Sequence, residues 1–306
     1  MSTISIPAAA ESRAEQRLPL RLRLAQRGLD GVTLLVLPAV IFLLALFVYP
    51  FLYGLVLSFE PKEGGWLANY QQFFSEPFLY TTISKTLWLA IPATLINILV
   101  SVPVAMRVRL MRRQRLLTTI LVVPITLGTV LIAEGLLNYL GPQGWVNRIL
   151  MTAGLISSPI RLVHNYWGTL ISLFISGFPF TFLLTLSYVT GIDPSLEQAA
   201  ATLGANARSR FRHIFLPLLL PGFAITFCLT FVQMFSVFPS AVLLGEPAGA
   251  TRVISIAAYT AAFEQYNDSM ASVIAMIMGA VQLGIVAAVL GLRGLVYRGP
   301  AGSGKG

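Results

Sequence analysis

Residues 167–189 read WGTLISLFISGFPFTFLLTLSYV and contain no charged side chain. Because a helix needs about 20 mostly apolar residues to cross the hydrocarbon core of a bilayer, this stretch predicts a membrane-spanning helix. Five further runs along the chain are similarly apolar, so the sequence predicts an all-α membrane protein with six transmembrane helices. The six predicted spans are Val32–Leu57, Ile83–Met106, Leu116–Leu140, Trp167–Val189, Leu216–Leu244 and Met270–Tyr297.

The composition of the 306 residues supports a membrane protein. Hydrophobic residues make up 56% and charged residues 11%, whereas soluble domains carry about 25% charge. The first apolar run is too long for a signal peptide and is expected to be a retained helix. The prediction divides the chain into an N-terminal tail at 1–31, a membrane domain at 32–297 and a flexible C-terminal tail at 298–306.

The basic residues indicate the orientation of the chain. Sixteen of the 21 Lys and Arg residues fall in the two tails, the loop between the second and third spans, and the loop between the fourth and fifth spans. Positive charge stays on the cytoplasmic side of a membrane, so both termini are predicted to be cytoplasmic. The net charge of +9 is then a topology signal, and it gives no reason to expect nucleic-acid binding.

The loop between the fourth and fifth spans, residues 191–217, reads GIDPSLEQAAATLGANARSRFRHIFLP. Asp193 can cap a helix that has Pro194 at its first position, where the missing N–H costs nothing. Gly204 is expected to end that helix, and Asn206 can cap a second short helix that stops before the fifth span. The sequence therefore predicts a helix–turn–helix that projects into the cytoplasm.

The spacing Ala199-Ala200-x3-Gly204-x9-Ile214-x-Leu216-Pro217 resembles the signature cytoplasmic loop of permease subunits in type I binding-protein-dependent ABC importers. In that family the loop forms a coupling helix that sits in a cleft on the ATPase subunit. Among subfamilies, the chain looks most like the polyamine-type (spermidine/putrescine) permeases. The resemblance assigns ATPase coupling to Glu197, Gln198, Ala199, Ala200, Gly204, Arg208, Ile214, Leu216 and Pro217.

One position departs from the family pattern. An acidic residue usually stands directly before the two alanines, and here that residue is Gln198. Glu197 comes one residue earlier, and a rotation of about 100° per residue places it on another part of the helix surface. We therefore expect docking by shape and hydrogen bonding rather than by a salt bridge at position 198.

The resemblance also implies partners and a location. It predicts a bacterial inner-membrane complex with a second permease subunit, identical or paralogous, two ATPase subunits and a periplasmic substrate-binding protein. No cofactor is expected on this chain, because ATP and Mg²⁺ would be bound by the partner ATPase. The C-terminal residues 299–306, GPAGSGKG, nearly match a phosphate-binding loop, but no Ser or Thr follows the lysine as a working loop requires.

Three polar residues in the spans are candidates for the substrate path: Glu134, Gln233 and Asn97. Glu134 is the only acidic residue well inside a span, and an ionisable group at membrane depth is by default a functional hypothesis. At about 1.5 Å per residue it lies about 27 Å along the third span, nearer the outer face. It could equally be a carboxylate that reaches headgroups or water, and interhelical hydrogen bonding could explain the two amides.

Acidic outer loops and the subfamily resemblance favour a polyamine or similar small organic cation as substrate. A metal ion, an organophosphonate or an amino-acid derivative remain alternatives within the same class. An ion-gradient-driven secondary transporter is a further alternative, although one intramembrane glutamate gives it little support.

A membrane-embedded enzyme is disfavoured. The two histidines, His164 and His213, lie in loops on opposite predicted sides, and Glu134 has no carboxylate partner in the spans. No catalytic or metal site is therefore expected.

Proline and glycine recur inside the spans, where each removes or weakens an intrahelical hydrogen bond. They fit either a bundle that surrounds a transport path or ordinary kinks of membrane helices. These residues are Pro92, Pro103, Pro124, Gly128, Gly177, Pro179 and Pro239.

Overall fold

The computed structural model describes residues 31–296, so both predicted tails lie almost entirely outside the described residues. The chain divides after Val56 into two units. The described part of the first unit, residues 31–56, belongs to helix α1, Gly31–Ser58. Two prolines, Pro38 and Pro50, lie inside α1.

The second unit is built from helices, and every regular element between residues 57 and 296 is helical. Two of these elements, 211–215 and 260–264, are π-helical segments. The α-helices are α2 Ala68–Ser75, α3 Pro77–Val108, α4 Gln114–Leu140, α5 Trp145–Thr152, α6 Tyr166–Thr190, α7 Pro194–Thr202, α8 Ala207–Arg210, α9 Leu216–Phe235, α10 Pro239–Leu243, α11 Ile254–Tyr259 and α12 Asp268–Val296.

Six stretches of the described chain are long and apolar enough to cross a membrane, which confirms the predicted all-α, six-span architecture. They begin in α1, α3, α4, α6, α8 and α12. The second span starts at Pro77, earlier than predicted, because this proline occupies the first turn of α3, where its missing N–H has no helical partner to lose.

The predicted fifth span, Leu216–Leu244, is wrong at both ends. Its helix is continuous with the second arm of the cytoplasmic loop, because the π-helical segment 211–215 joins α8 to α9. In that segment the Leu216 N–H bonds to the Phe211 carbonyl, an i to i+5 bond. At the other end α9 stops at Phe235, since proline at 239 disfavours helical geometry in the residue before it.

Most of the predicted helix breaks are absent. Helices α3 and α6 run without interruption through Pro92, Pro103 and Pro179. The two exceptions are Pro239, which begins α10 after α9 has ended, and Gly128 in α4, whose φ of 73° and ψ of 159° leave the helical region. Residues with a Cβ rarely adopt a positive φ, so glycine at this position permits the kink.

Helices α3, α6 and α9 pack against one another and form the centre of the second unit. Small hydroxyl residues join them: Ser101 and Thr185 lie 3.0 Å apart between α3 and α6, and Thr181 and Thr230 lie 3.1 Å apart between α6 and α9. Gly177 also lies at this contact, and a Cβ there would stand 2.4 Å from the terminal methyl of Met234, so that side chain would have to shift. Small residues and interhelical hydrogen bonds replace the hydrophobic effect as the source of association in lipid.

Candidate functional site

The loop between the fourth and fifth spans forms a helical hairpin of α7 and α8, and its ends are capped as predicted. The Asp193 side chain accepts a hydrogen bond from the Ser195 N–H at 2.8 Å, and this bond holds the pKa of the carboxyl below its usual value. The Asn206 side chain accepts from the Ser209 N–H at 2.8 Å. These caps satisfy N–H groups that have no partner within the first turn of each helix.

Gly204 ends α7 as predicted. It has a φ of 80°, a left-handed conformation that glycine adopts without steric cost. Its N–H bonds to the Ala201 carbonyl, and the Ala205 N–H bonds to the Ala200 carbonyl, each at 3.0 Å. This pair of bonds is the Schellman arrangement, which fixes the angle at which α8 leaves α7.

Most of the predicted coupling residues are exposed, and no residue of α7 is buried. Gln198, Ala199, Gly204, Arg208, Leu216 and Pro217 are exposed, and Glu197, Ala200 and Ile214 are half-buried. Two exposed leucines were missed by the motif: Leu196 is 46% exposed and Leu203 is 88% exposed. A leucine in a predicted cytoplasmic loop, outside every apolar run, is the signal that could have identified them.

Glu197 is bound within its own chain. Its Oε2 accepts a charge-assisted hydrogen bond from Nη2 of Arg109, and its Oε1 lies 3.3 Å from Nη1 of Arg210. The Arg109 guanidinium also lies over the ring of Phe215, 4.5 Å from its centroid. No local sequence pattern could indicate this contact, because 88 positions separate Arg109 from Glu197.

The three candidates for the substrate path are placed differently. The side chain of Glu134 is exposed on α4. The side-chain amide of Asn138 donates to the backbone carbonyl of Glu134 at 3.0 Å. Gln233 is exposed on α9. Asn97 is fully buried, and its amide donates to the Ala93 carbonyl at 2.9 Å, which favours a role in helix packing over substrate contact.

Among residues 31–296, no three His, Cys, Asp or Glu side chains stand close enough together to hold a metal ion. The structure thus presents an exposed hairpin at the predicted coupling loop and exposed polar side chains on two spans.

The family described as binding-protein-dependent transport system inner membrane component matches residues 97–293, more than half of the chain. This match includes the whole hairpin, the third, fourth and fifth spans, and nearly all of the sixth.

Curated relatives are permease proteins with two kinds of substrate in their names. The spermidine/putrescine transport system permease protein PotB of Haemophilus influenzae is 30% identical over 64% of this chain and 71% of its own length. A probable sulfate transport system permease protein cysT of Prototheca wickerhamii is 28% identical over 53% of this chain. The chain spans 62% of the length of that relative and 57% of PotB from Escherichia coli.

Solved structures show the same fold. A chain of a bacterial ABC transporter that imports the acidic polysaccharide alginate matches with a TM-score of 0.74, at 20% identity, over 90% of this chain and 98% of its own. A chain of the MetNI methionine ABC transporter in an inward-facing conformation matches with a TM-score of 0.51, at 14% identity, over 69% of this chain and 96% of its own.

Proposed function

Because the chain belongs to the inner-membrane components of binding-protein-dependent transport systems, we propose that it forms half of the translocation path for a small organic cation. It is a multi-pass membrane permease subunit of an ABC importer and not an enzyme. Polyamines are the favoured substrates.

The exposed hairpin is the observation that carries the proposed coupling to an ATPase. Helix α7 has no residue buried by the chain, and Leu196 and Leu203 present apolar surface where the charge pattern predicts cytoplasm. An exposed apolar patch rimmed by polar residues is typical of a protein-binding surface. Such a patch fits the cleft of a separate ATPase, which would bind ATP and Mg²⁺ and supply all the chemistry.

A second permease subunit would complete the path. The third span is exposed along most of its length, and only 6% of its most apolar stretch is buried. Glu134 and Gln233 stand on exposed surfaces of α4 and α9, where a facing subunit could enclose a passage between two such bundles. Two ATPase subunits and a periplasmic binding protein would then match the two halves.

The choice of a cation rests on Glu134 and on the relatives. A carboxylate near the outer half of a span attracts a cation and repels an anion, and both effects grow as water is excluded. The PotB relatives carry spermidine and putrescine in their names, whereas the cysT relatives carry sulfate. The sulfate relatives make an anion the second candidate, and Glu134 weighs against it.

Uptake by the reconstituted complex tests the proposal. The complex purified through this chain, with its binding protein, is placed in liposomes and supplied with ATP and either labelled putrescine or labelled sulfate. We expect ATP-dependent uptake of putrescine that is lost when the partner ATPase carries a substitution that abolishes hydrolysis. Sulfate uptake would overturn the substrate, and uptake driven by an ion gradient without ATP would favour a secondary transporter.

A further inference from the structure

Helix α7 makes its two ion pairs with the rest of the chain through one side chain. None of its residues is buried, but the carboxylate of Glu197 reaches Arg109 at the end of α3 and Arg210 in α8. We propose that these three residues, here called the clasp, transmit movement of the hairpin to the ends of the second and fifth spans. Glu197 is then an internal positioning residue and not a contact to the ATPase.

Both oxygens of the carboxylate are used inside the chain. Oε2 accepts from Arg109 and Oε1 accepts from Arg210, so two cations already share one anion. A cation on a partner protein would have to compete with both of them. The geometry therefore leaves Gln198, which is exposed on a different part of the helix surface, as the polar group that faces outward.

Arg109 is held firmly enough to act as an anchor. Its backbone caps the end of α3, its side chain is 9% exposed, and its guanidinium lies over the ring of Phe215. Phe215 is itself 2% exposed, in the π-helical segment that leads into α9. A buried guanidinium needs an opposite charge, which Glu197 supplies, and the Phe215 ring adds a cation–π attraction.

Arg210 makes the second connection. It ends α8, and α8 continues through the π-helical segment into the fifth span. One carboxylate thus joins α7 to two spans that are far apart in sequence. If the ATPase pulls on α7, the clasp carries the displacement to both spans together, whereas the turn at Gly204 carries it to one.

Removing the carboxylate has two consequences. It takes away the attraction that holds α7 to α3, and it leaves Arg109 and Arg210 as neighbouring cations without a shared anion. The inference rests on the proposed docking of an ATPase at the hairpin, but the geometry of the hairpin can be measured on the isolated chain.

The first experiment measures how firmly α7 is held. Spin labels are placed at Thr202→Cys and Arg113→Cys in the full chain with Cys228→Ala, and the distance distribution is recorded in lipid nanodiscs. We expect Glu197→Gln and Arg109→Gln each to broaden the distribution, and the double variant to be no broader than Glu197→Gln alone. Arg112→Gln, an exposed neighbour of Arg109, is the matched control and should change nothing. An unchanged distribution in Glu197→Gln would overturn the proposal.

The second experiment separates coupling from docking in the intact complex. Glu197→Gln should lower putrescine uptake per ATP hydrolysed by about fivefold or more, the lower range of measured coupling energies between sites. The amount of ATPase that co-purifies should stay within about twofold of wild type, since the outward surface is intact. A loss of bound ATPase that matches the loss of uptake would make Glu197 a docking residue and overturn the clasp.

The proposed function and the clasp are contradicted by different results. If the wild-type chain binds no ATPase, the proposed function fails while the distance measurement still decides the clasp. If ATPase binds but putrescine is not transported, only the substrate assignment fails.

Discussion

Helices α4 and α6 are both apolar spans, yet the chain treats them in opposite ways. In the most apolar stretch of each, 56% of the residues are buried for α6 and 6% for α4. Mean hydropathy does not predict which span is buried, because it is 2.3 for the exposed span and lower, 1.9, for the buried one. The difference shows that apolarity reports the presence of a span, and not whether protein or lipid covers it.

The residue types on the two helices explain the difference. Helix α6 carries buried Ser172, Gly177, Thr181 and Thr185 at its contacts, and small or hydroxyl residues allow helices to approach closely in lipid. Helix α4 buries only Ala133 and Leu140. The comparison indicates that α6 is a scaffold helix, while α4 keeps its surface for the membrane or a partner subunit.

The largest expected difference in stability between the two helices comes from replacing one glycine by alanine in each. A Cβ at Gly168 in α6 would lie 2.4 Å from the Leu162 carbonyl oxygen and 3.0 Å from that of Leu244, so backbone must move. We expect Gly168→Ala to lower the free energy of unfolding by about 2–3 kcal/mol. Gly135→Ala in α4, with no atom within 4 Å, is the matched control and should be neutral or stabilising. Unfolding by SDS titration in mixed micelles measures the stability of both variants. Equal losses of unfolding free energy would contradict the assignment of α6 as the scaffold helix.

Shortening a leucine on each helix should give a smaller contrast. Leu173 on α6 is 3% exposed and Leu131 on α4 is 64% exposed. We expect Leu173→Ala to cost about 1–2 kcal/mol, because lipid removes the transfer contribution and leaves the cavity contribution. Leu131→Ala should stay within about 0.5 kcal/mol in the isolated chain.

The same leucine variant also tests what covers α4. If Leu131→Ala leaves stability unchanged but reduces the amount of a second permease that co-purifies, α4 faces that subunit. Unchanged co-purification would place this part of α4 against lipid.

Glu134 should affect transport without affecting assembly. We expect Glu134→Gln to slow putrescine uptake by about threefold to tenfold, since an ion pair that water reaches is worth on the order of 1 kcal/mol. The yield of complex should not change, because the side chain is exposed. Glu264→Gln, an exposed carboxylate outside the spans, is the control. Unaltered uptake kinetics in the Glu134 variant would remove this residue from the path.

The smallest effect is expected at position 198. Gln198→Glu restores the usual acidic residue on an exposed part of α7, where an ion pair adds at most about 1 kcal/mol. Stimulated ATP hydrolysis should therefore stay the same or rise by about twofold. Abolished stimulation would mean that the partner ATPase is matched to glutamine.

The sequence predicted the hairpin in detail because its determinants are local. Asp193, Gly204 and Asn206 each act on backbone groups within a few positions, so their roles as caps and turn residue could be read directly and were confirmed. The end of the fifth span was missed for a related reason. The apolar run continues past Phe235, so Pro239 was predicted to lie inside the span, whereas it begins a separate helix.

By itself, the sequence determined the class of the protein, the number of its spans and the helical hairpin between the fourth and fifth spans. These depend on the apolar length needed to cross a bilayer and on residue spacing along one helix, and both are properties of a continuous segment. Tertiary structure alone decided which spans are buried, that Asn97 lies inside the bundle, and that Glu197 binds Arg109. Those contacts join residues far apart in the chain, and their energy depends on distances that appear only when the helices pack.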